Sequence, residues 1–205
     1  MTQLYLVRHG ETDWNVQRRI QGSTDIPLND NGRRQAKRTA RLLAAGQWDA
    51  VFTSPLSRAH ETATIITGEL QLPAPQLLPA VVERRYGDAE GLDFYDVEAR
   101  FPDGVHVPGR ELPAAVVQRA LPALTDLARQ RPAQRIIVVT HGGVIRALLN
   151  AVVPEVDRFV GVLIANGSVH HFHYSLDALE LVAFDNFAPT MFGTDSGADD
   201  RELAR

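Results

Sequence analysis

Two short apolar runs along the chain end in the same way, in a histidine followed by glycine. The run Leu4–Val7 leads into Arg8–Gly10, of sequence Arg-His-Gly, and the run Ile136–Thr140 leads into His141–Gly142. Apolar runs of this length, rich in β-branched residues, predict buried parallel strands. Ligands of open α/β sheets bind beyond the carboxyl ends of such strands. We therefore expect both imidazoles at one site, where the glycines let backbone N–H groups approach an anion.

Helical and strand patterns alternate between these two runs. Arg33–Ala45 has alanine and leucine along one stripe, which predicts an amphipathic helix, and Asn29–Gly32 offers capping side chains before it. Asp49–Thr53 predicts a second strand, and Ser54–Leu70 predicts a helix with Pro55 at an early position. This alternation favours an α/β domain.

The middle of the chain is harder to interpret. The segment Leu72–Gly109 is rich in proline and glycine and poorly periodic, so we expect an irregular excursion that forms a small cap over the site. A helix is expected over Glu111–Arg131, where Pro113 and Pro122 would delimit or break it. A further helix is expected over Gly142–Val152, directly after the second histidine run.

The C-terminal part predicts a hairpin, a strand and a tail. Val162–Ala165 and Val169–Tyr174 flank Asn166–Gly167, a dipeptide typical of tight hairpin turns. Leu179–Phe184 predicts a last strand, and the polar, acidic stretch 185–205 predicts a loose tail. We find no clear linker, so the whole chain, 1–205, is interpreted as a single domain.

Composition excludes several kinds of site and partner. The 205 residues carry a net charge of −4, which does not favour binding to nucleic acid or to an anionic membrane. Without cysteine, the chain has no disulfides, no thiolate catalysis and no cysteine-type zinc site. No apolar run approaches the ~20 residues of a membrane span, and the first residues show no secretory signal. We expect a cytoplasmic protein with no membrane partner, for which a homodimer stays open.

The residues around the first histidine suit phosphoryl transfer. A neutral imidazole such as His9 is a competent nucleophile toward phosphorus, and the adjacent Arg8 can neutralise phosphoryl oxygens. Arg58 is expected in the first turn of the helix after the second strand, and His141 follows the third strand. Three strand ends would thus deliver two imidazoles and two guanidinium groups to one place. Apart from Lys37, all lysine or arginine positions hold arginine, whose fork binds two phosphate oxygens at once.

These motifs stand in the order of a known family. Arg8–Thr12 reads Arg-His-Gly-Glu-Thr and is followed by Trp14–Asn15; Ser54–Ala59 reads Ser-Pro-Leu-Ser-Arg-Ala; Glu83 and His141–Gly142 come later. With them the chain resembles the histidine phosphatase superfamily, also called the phosphoglycerate mutase-like family, over nearly its whole length. The resemblance implies a three-layer α/β/α fold with a mainly parallel central sheet and a small cap insertion.

The resemblance also implies roles for individual residues. His9 would be the nucleophile that is phosphorylated during turnover, with Arg8, Arg58 and His141 as the phosphate pocket. Further positions that match phosphate or substrate contacts of the family are Asn15, Gln21, Gly22 and Gly142. This scheme requires no metal and no cofactor, because arginine and imidazole supply the positive charge.

A proton donor is also needed, because an alkoxide is a poor leaving group. The segment Val82–Gly91 is similar to the acid-donor segment of the family, and Glu83 is the matching donor, which could then activate water. Glu90 aligns with a second, more structural glutamate. Arg84 and Tyr86 could recognise a substrate carboxylate.

Three histidines near the C-terminus invite a metal interpretation. His171 and His173 would share one face of a strand, and His170 lies beside them. No cysteine or paired carboxylate accompanies them, so a half-exposed strand with polar alternation is the favoured explanation.

Three functions fit such a chain. The first is a histidine acid-type phosphatase that hydrolyses a small phosphorylated metabolite through a phosphohistidine. The second is a 2,3-bisphosphoglycerate-dependent phosphoglycerate mutase, and the third is an inactive phospho-ligand binder. Family mutases carry a longer basic insertion between acid donor and second histidine, whereas here only positions 84–140 separate them, with no adjacent arginine pair after Arg84–Arg85. We therefore prefer the phosphatase and keep the mutase as alternative. The inactive binder is disfavoured because all five matched catalytic positions are filled.

Overall fold

The computed structural model describes residues 1–153 and 162–185, and its centre is one six-stranded sheet. The strands in chain order are β1 Thr2–Arg8, β2 Ala50–Thr53, β3 Gln76–Leu77, β4 Arg135–Thr140, β5 Val169–Ser175 and β6 Ala178–Asp185. Their order across the sheet is β3-β2-β4-β1-β5-β6. The first four of these strands are parallel to one another, β5 is antiparallel to β1, and β6 is antiparallel to β5. The predicted strands at 4–7, 49–53, 136–140 and 179–184 are confirmed with small shifts of their ends.

Helices cover both faces of this sheet. They are α1 Asp13–Val16, α2 Asp30–Leu43, α3 Ser57–Leu70, α4 Phe94–Arg100, α5 Pro113–Gln130 and α6 Gly142–Val152. Along β1, Leu4 and Leu6 pack with residues of α5 and α6, whereas Val7 packs with residues of α2 and α3. Because side chains alternate between the faces of a strand, each helix pair buries its own apolar stripe on one face. The three-layer α/β/α fold is thereby confirmed.

Side-chain caps decide where two helices begin. The Asn29 side chain accepts a hydrogen bond from the Gly32 N–H at 2.8 Å, so α2 begins at Asp30, three residues earlier than expected. The expectation that Pro55 lies inside the next helix is wrong, since α3 begins only at Ser57. The Asp25 carboxylate accepts from both the N–H and the hydroxyl of Ser57, at 2.8 and 2.7 Å, and so fixes this start from a distant loop.

Proline does not break the long helix α5. Pro113 is its first residue, as predicted for a delimiting proline, but Pro122 lies inside it. Both Pro122 and Gln118, whose carbonyl loses its partner, are exposed. Water can therefore satisfy the freed carbonyl, and the helix continues.

Of the predicted hairpin around Asn166–Gly167, the second strand, Val169–Tyr174, is confirmed as β5, but the first strand and the connection are wrong. Residues 162–165 are not a strand, and the Gly167 N–H donates to the Arg8 carbonyl at 3.0 Å, so this turn joins the end of β1. The hairpin that does form connects β5 and β6 through Leu176 and Asp177, which both have positive φ, 50° and 60°. A two-residue turn needs this conformation, but leucine gives no sequence signal for it.

The predicted cap segment, 72–109, is partly built into the core. Gln76–Leu77 forms β3 at the sheet edge, and Val81 is fully buried in the main hydrophobic cluster. The remainder holds α4 and a small cluster of its own, in which Tyr86 and Val107 are buried.

Two further predictions concern membrane spans and the C-terminal tail. Within residues 1–153 and 162–185, every helix is too short or too polar to span a membrane. The predicted tail, beyond Asp185, lies outside the described residues.

Candidate active site

The carboxyl ends of three parallel strands meet at one edge of the sheet. The His9 N–H, just after β1, donates to the Thr140 carbonyl at the end of β4, at 3.0 Å. The Ser54 N–H, just after β2, donates to the Val139 carbonyl, also at 3.0 Å. Since His141 follows Thr140, the strand register alone brings both histidines and Ser54 together.

His9 is buried, with one ring nitrogen occupied and the other available. Its Nδ1 lies 2.6 Å from the Gly10 carbonyl oxygen. A carbonyl can only accept, so in the neutral ring Nδ1 carries the proton and Nε2 keeps its lone pair. The ring centroid of His9 is 5.1 Å from that of His141, whose Nε2 lies 2.7 Å from the Ser54 hydroxyl. Nε2 is therefore the ring nitrogen of His9 that has an available lone pair.

Both imidazoles are kept neutral by their surroundings. Burial, followed by the charges of Arg58 and Arg8, holds the pKa of His9 well below its ordinary value of 6.5. Burial, followed by the charge of Arg58, likewise lowers the pKa of His141 well below 6.5. The positive charge of this site is therefore carried by guanidinium groups, and the neutral ring of His9 keeps the lone pair that a nucleophile needs.

Two arginines supply that charge. Arg58, in the first turn of α3, is completely buried and donates to the carbonyl oxygens of Gly22 and Thr24, each at 2.8 Å. Burial is the largest cause that lowers the pKa of Arg58 to about 10, which still leaves the group charged at neutral pH. Arg8 is also buried and donates to the Ile164 carbonyl. Both groups thus donate to neutral backbone oxygens, and the charge of Glu83, followed by those of Asp25 and Glu90, favours the charged form of Arg58.

Several buried polar atoms of this cluster have no hydrogen-bond partner within the described part of the chain. They are Arg8 Nε, Arg58 Nε, His141 Nδ1 and Gln21 Oε1. A buried donor without an acceptor costs about 1–3 kcal/mol. An anion with several acceptor oxygens would satisfy the guanidinium donors, so the cluster is suited to a phosphoryl group.

Glu83 lies beside this cluster, between β3 and α4. Its carboxylate accepts from the backbone N–H groups of Arg84 at 2.7 Å and of Gly143 at 3.2 Å. The second contact requires glycine, because a Cβ on residue 143 would lie 2.6 Å from Oε1 of Glu83. The carboxylate is therefore held in place by the first turn of α6, next to His141.

The position of Glu83 depends on an arginine that sequence reasoning missed. Arg119 on α5 forms a two-pronged ion pair with Glu111, at 2.8 and 3.1 Å. It also donates to the carbonyls of Ala80 and Glu83, at 2.6 and 3.2 Å. In sequence, Arg119 has the pattern of any solvent-facing arginine on an amphipathic helix, so no local signal marks it.

Two further guanidinium groups flank Tyr86 next to the carboxylate. Those of Arg84 and Arg110 lie 5.0 and 5.8 Å from the ring centroid of Tyr86. A Cβ on Gly143 would lie 3.2 Å from the Tyr86 hydroxyl, so this hydroxyl and the Glu83 carboxylate both lie next to Gly143. Sequence reasoning predicted Arg84 and Tyr86 here but missed Arg110, which stands 26 positions after Arg84 and comes back to it only through the fold.

Comparison with known proteins decides the family. The model of the histidine phosphatase superfamily (branch 1) matches residues 4–186. The chain belongs to this superfamily. An uncharacterized phosphatase, PhoE, of Bacillus subtilis is 42% identical over 152 residues, 74% of this chain and 78% of its own length. A 2,3-bisphosphoglycerate-dependent phosphoglycerate mutase of Azorhizobium caulinodans is 35% identical over 162 residues, 71% of this chain and 79% of its own.

A solved structure gives the same result. A phosphoserine phosphatase variant from Entamoeba histolytica, in complex with phosphoserine, has a TM-score of 0.79 and 28% identity, and the match covers 93% of this chain and 100% of that one. The resemblance inferred from the motifs is confirmed. The relatives include both phosphatases and mutases, so this chain is a phosphatase or mutase type of enzyme.

Asn15 and Gly142, which also match the superfamily pattern, have defined structural positions. The Asn15 side-chain oxygen accepts from the Thr12 N–H at 3.1 Å and lies 3.3 Å from the Asn166 amide nitrogen. Gly142 opens α6, with His141 as the residue before its first turn. Asn15 thus links the start of α1 to the turn at Asn166, and Gly142 lies directly after His141.

Glu90 joins the first loop to the acid-donor segment. Its carboxylate accepts from the backbone N–H groups of Ser23, Thr24 and Tyr86, each at 3.0 Å. Burial by itself would raise the pKa of Glu90, but the hydrogen bonds from Thr24, Ser23 and Tyr86 outweigh it and lower that pKa. Gly22, at φ +54°, leaves room for this carboxylate, since a Cβ there would lie 2.1 Å from Oε1. The structural interpretation of Glu90 agrees with these contacts.

The three C-terminal histidines lie on β5, outside the cluster formed around His9 and His141. His170 is fully buried and contacts the Ser168 hydroxyl at 2.9 Å, whereas His171 and His173 share the opposite face with ring centroids 4.7 Å apart. Among the described residues, no three histidine, aspartate or glutamate side chains come together as a potential metal site.

A first prediction concerns Gly143. In Gly143→Ala the new methyl displaces Glu83, and we expect kcat to fall about tenfold or more, because a positioned acid contributes 10²–10⁴-fold. The fall should be larger for an alkyl phosphate than for p-nitrophenyl phosphate, whose phenolate leaves without much protonation.

Gly68→Ala on α3 is the matched control for this test, since a Cβ there meets nothing within 4 Å. It should keep full activity. An equal loss for both substrates in Gly143→Ala, or no loss, would contradict a displaced proton donor.

A second prediction concerns protonation. Because their pKa values are lowered, His9 and His141 should be neutral at pH 6.5 and take up a proton only at lower pH, with His9 as the Nδ1–H tautomer. Nitrogen-15 NMR of histidine-labelled protein, assigned with His9→Asn and His141→Asn, measures both properties. Half-protonation of either ring at or above pH 6.5 would contradict the electrostatics described here.

Proposed function

We propose that this protein is a phosphomonoester hydrolase that acts on a small phosphorylated metabolite through a phosphohistidine at His9. The observation that carries the proposal is the pairing of a neutral His9, whose Nε2 lone pair is available, with the buried guanidinium groups of Arg8 and Arg58. An imidazole in this state attacks phosphorus, and the two cations attract the phosphoryl oxygens to it.

In the first step, Nε2 of His9 attacks phosphorus as the bond from phosphorus to the ester oxygen breaks. Arg8, Arg58 and His141 donate to the three oxygens that share the spreading negative charge. Glu83, in its protonated form, gives its proton to the departing oxygen, and the alcohol leaves neutral.

In the second step, a water molecule attacks the phosphohistidine. The Glu83 carboxylate takes a proton from this water as the new oxygen–phosphorus bond forms and the nitrogen–phosphorus bond breaks. Inorganic phosphate leaves, His9 is again neutral, and Glu83 is again protonated. Every group in this cycle returns to its starting state without a metal or a cofactor.

A phosphoglycerate mutase is the second candidate function. It is favoured by the cluster of Arg84, Arg110 and Tyr86, which offers two cations to a substrate carboxylate beside Glu83. Mutases also occur among the relatives, and the Entamoeba phosphatase neighbour was solved with phosphoserine, which itself carries a carboxylate. We place hydrolysis first because the segment between Glu83 and His141 is short. Carboxylated phosphomonoesters are then the substrates to test first.

The third prediction tests the intermediate. Acid- and base-quenched samples taken during turnover of a ³²P-labelled substrate should carry acid-labile, base-stable phosphate on the protein. His9→Ala should abolish both the label and the activity, whereas His60→Ala, on an exposed histidine, should leave both unchanged. Turnover by His9→Ala at a comparable rate would exclude this mechanism.

The fourth prediction separates hydrolase from mutase. On a panel of sugar phosphates, phosphoglycerates, phosphoserine and nucleotide-pathway esters, we expect release of inorganic phosphate to exceed any movement of phosphate between glycerate positions. The panel is assayed with and without 2,3-bisphosphoglycerate. Exchange between positions faster than release would place the mutase first.

A further inference from the structure

A cavity of about 300 Å³ lies on the α2 side of the sheet, apart from the residues of the active site. Its walls come from the middle of β1, the segment after α2, the start of β4, and β5 with β6. The lining residues used here are Tyr5, Leu42, Trp48, Arg135, His171 and Ala183. The volume is at the lower end of the range for small-molecule sites.

Three aromatic rings form fixed walls. The rings of Tyr5 and His171 are stacked, with centroids 4.1 Å apart and an angle of 11° between their planes. Trp48 meets Tyr5 edge-on at 4.6 Å, and its Nε1 donates to the Leu43 carbonyl at 2.7 Å. These contacts hold the rings in place before any ligand arrives, which limits the entropy cost of binding.

One guanidinium group lies against these rings. Arg135 is 4.9 Å from the ring centroid of Trp48 and 5.5 Å from that of Tyr5, and its Nη2 donates to the Tyr5 hydroxyl at 3.2 Å. Within residues 1–153 and 162–185, no carboxylate comes within ion-pair distance of it. The Asp49 carboxylate accepts from the backbone N–H of Arg135 at 2.8 Å and not from its side chain, so the guanidinium group has no ion-pair partner among the described residues.

The other residues that line the cavity carry no negative charge. Burial, followed by the charges of His173 and Arg135, lowers the pKa of His171 to about 4, so this ring is neutral at physiological pH. The rest of the lining is apolar or aromatic. The cavity thus combines flat apolar walls with one fork-shaped cation, whose planar geometry matches that of a carboxylate.

We propose that this cavity binds a small planar aromatic molecule that carries a carboxylate. One or two fused rings fill the space between Trp48, Leu42 and the Tyr5–His171 stack, where their faces and edges meet aromatic surfaces. The carboxylate accepts hydrogen bonds from Arg135. The site is independent of the phosphoryl chemistry, because none of its residues belongs to the catalytic cluster.

The fifth prediction is tested by calorimetric titration of the full chain with benzoate, 2-naphthoate and the uncharged 2-naphthamide. We expect one equivalent of a carboxylate probe to bind, and binding to persist when orthovanadate saturates the active site. Arg135→Gln should weaken binding of the carboxylate about tenfold or more and leave that of the amide unchanged. Ala183→Leu, which fills the cavity from the exposed side, should weaken both.

Arg41→Gln, an exposed arginine on α2 outside the cavity, is the matched charge control and should bind like the wild type. Phosphatase activity and thermal unfolding of each variant show whether it is folded. Absence of saturable binding by the wild type, displacement by vanadate, or unchanged binding in both Arg135→Gln and Ala183→Leu would overturn the proposal. Should Arg135→Gln not fold, Ala183→Leu and the vanadate competition still decide it.

Discussion

The burial of two guanidinium groups beside two imidazoles is the constraint on which the active site depends. A buried cation is expensive unless hydrogen bonds and charges compensate it. Here backbone carbonyls accept hydrogen bonds from both groups, and the charges of Glu83, Asp25 and Glu90 also favour the charged form of Arg58. Arg58 is held by Gly22 and Thr24, and Arg8 by Ile164. Burial, followed by the charges of Arg58 and Arg8, lowers the pKa of His9 and keeps this imidazole neutral.

The scaffold explains how residues so distant in sequence are held to this arrangement. Parallel strand register fixes the two histidines relative to each other, since the end of β1 and the end of β4 are hydrogen-bonded neighbours. Carboxylates in turn fix two other segments of the site. Glu90 binds three backbone N–H groups across two segments, and Glu111 with Arg119 secures the segment of Glu83. Rigid support of this kind keeps catalytic groups at productive distances.

Much of this could be predicted from the sequence, because local patterns encode it. The strands that end in histidine, the helices with apolar stripes and the motif order each depend on neighbouring residues. The failures share a physical cause, which is dependence on contacts distant in sequence. Asn166–Gly167 is a typical turn sequence, but the Gly167 N–H donates to the carbonyl at the end of β1. The hairpin turn forms at Leu176–Asp177 instead. The start of α3 is fixed by Asp25, and Arg119 is in place only after α5 packs against the Glu83 segment.

We propose that His9, Arg8, Arg58 and His141 surround one tetrahedral oxyanion, with His9 as the attacking group. The most direct measurement is a crystal structure of the wild-type protein with orthovanadate bound. We expect vanadium at bonding distance from Nε2 of His9, its equatorial oxygens hydrogen-bonded to the two guanidinium groups and to His141, and an axial oxygen facing Glu83. Vanadate bound elsewhere, or with Nε2 of His9 turned away from it, would contradict the claim.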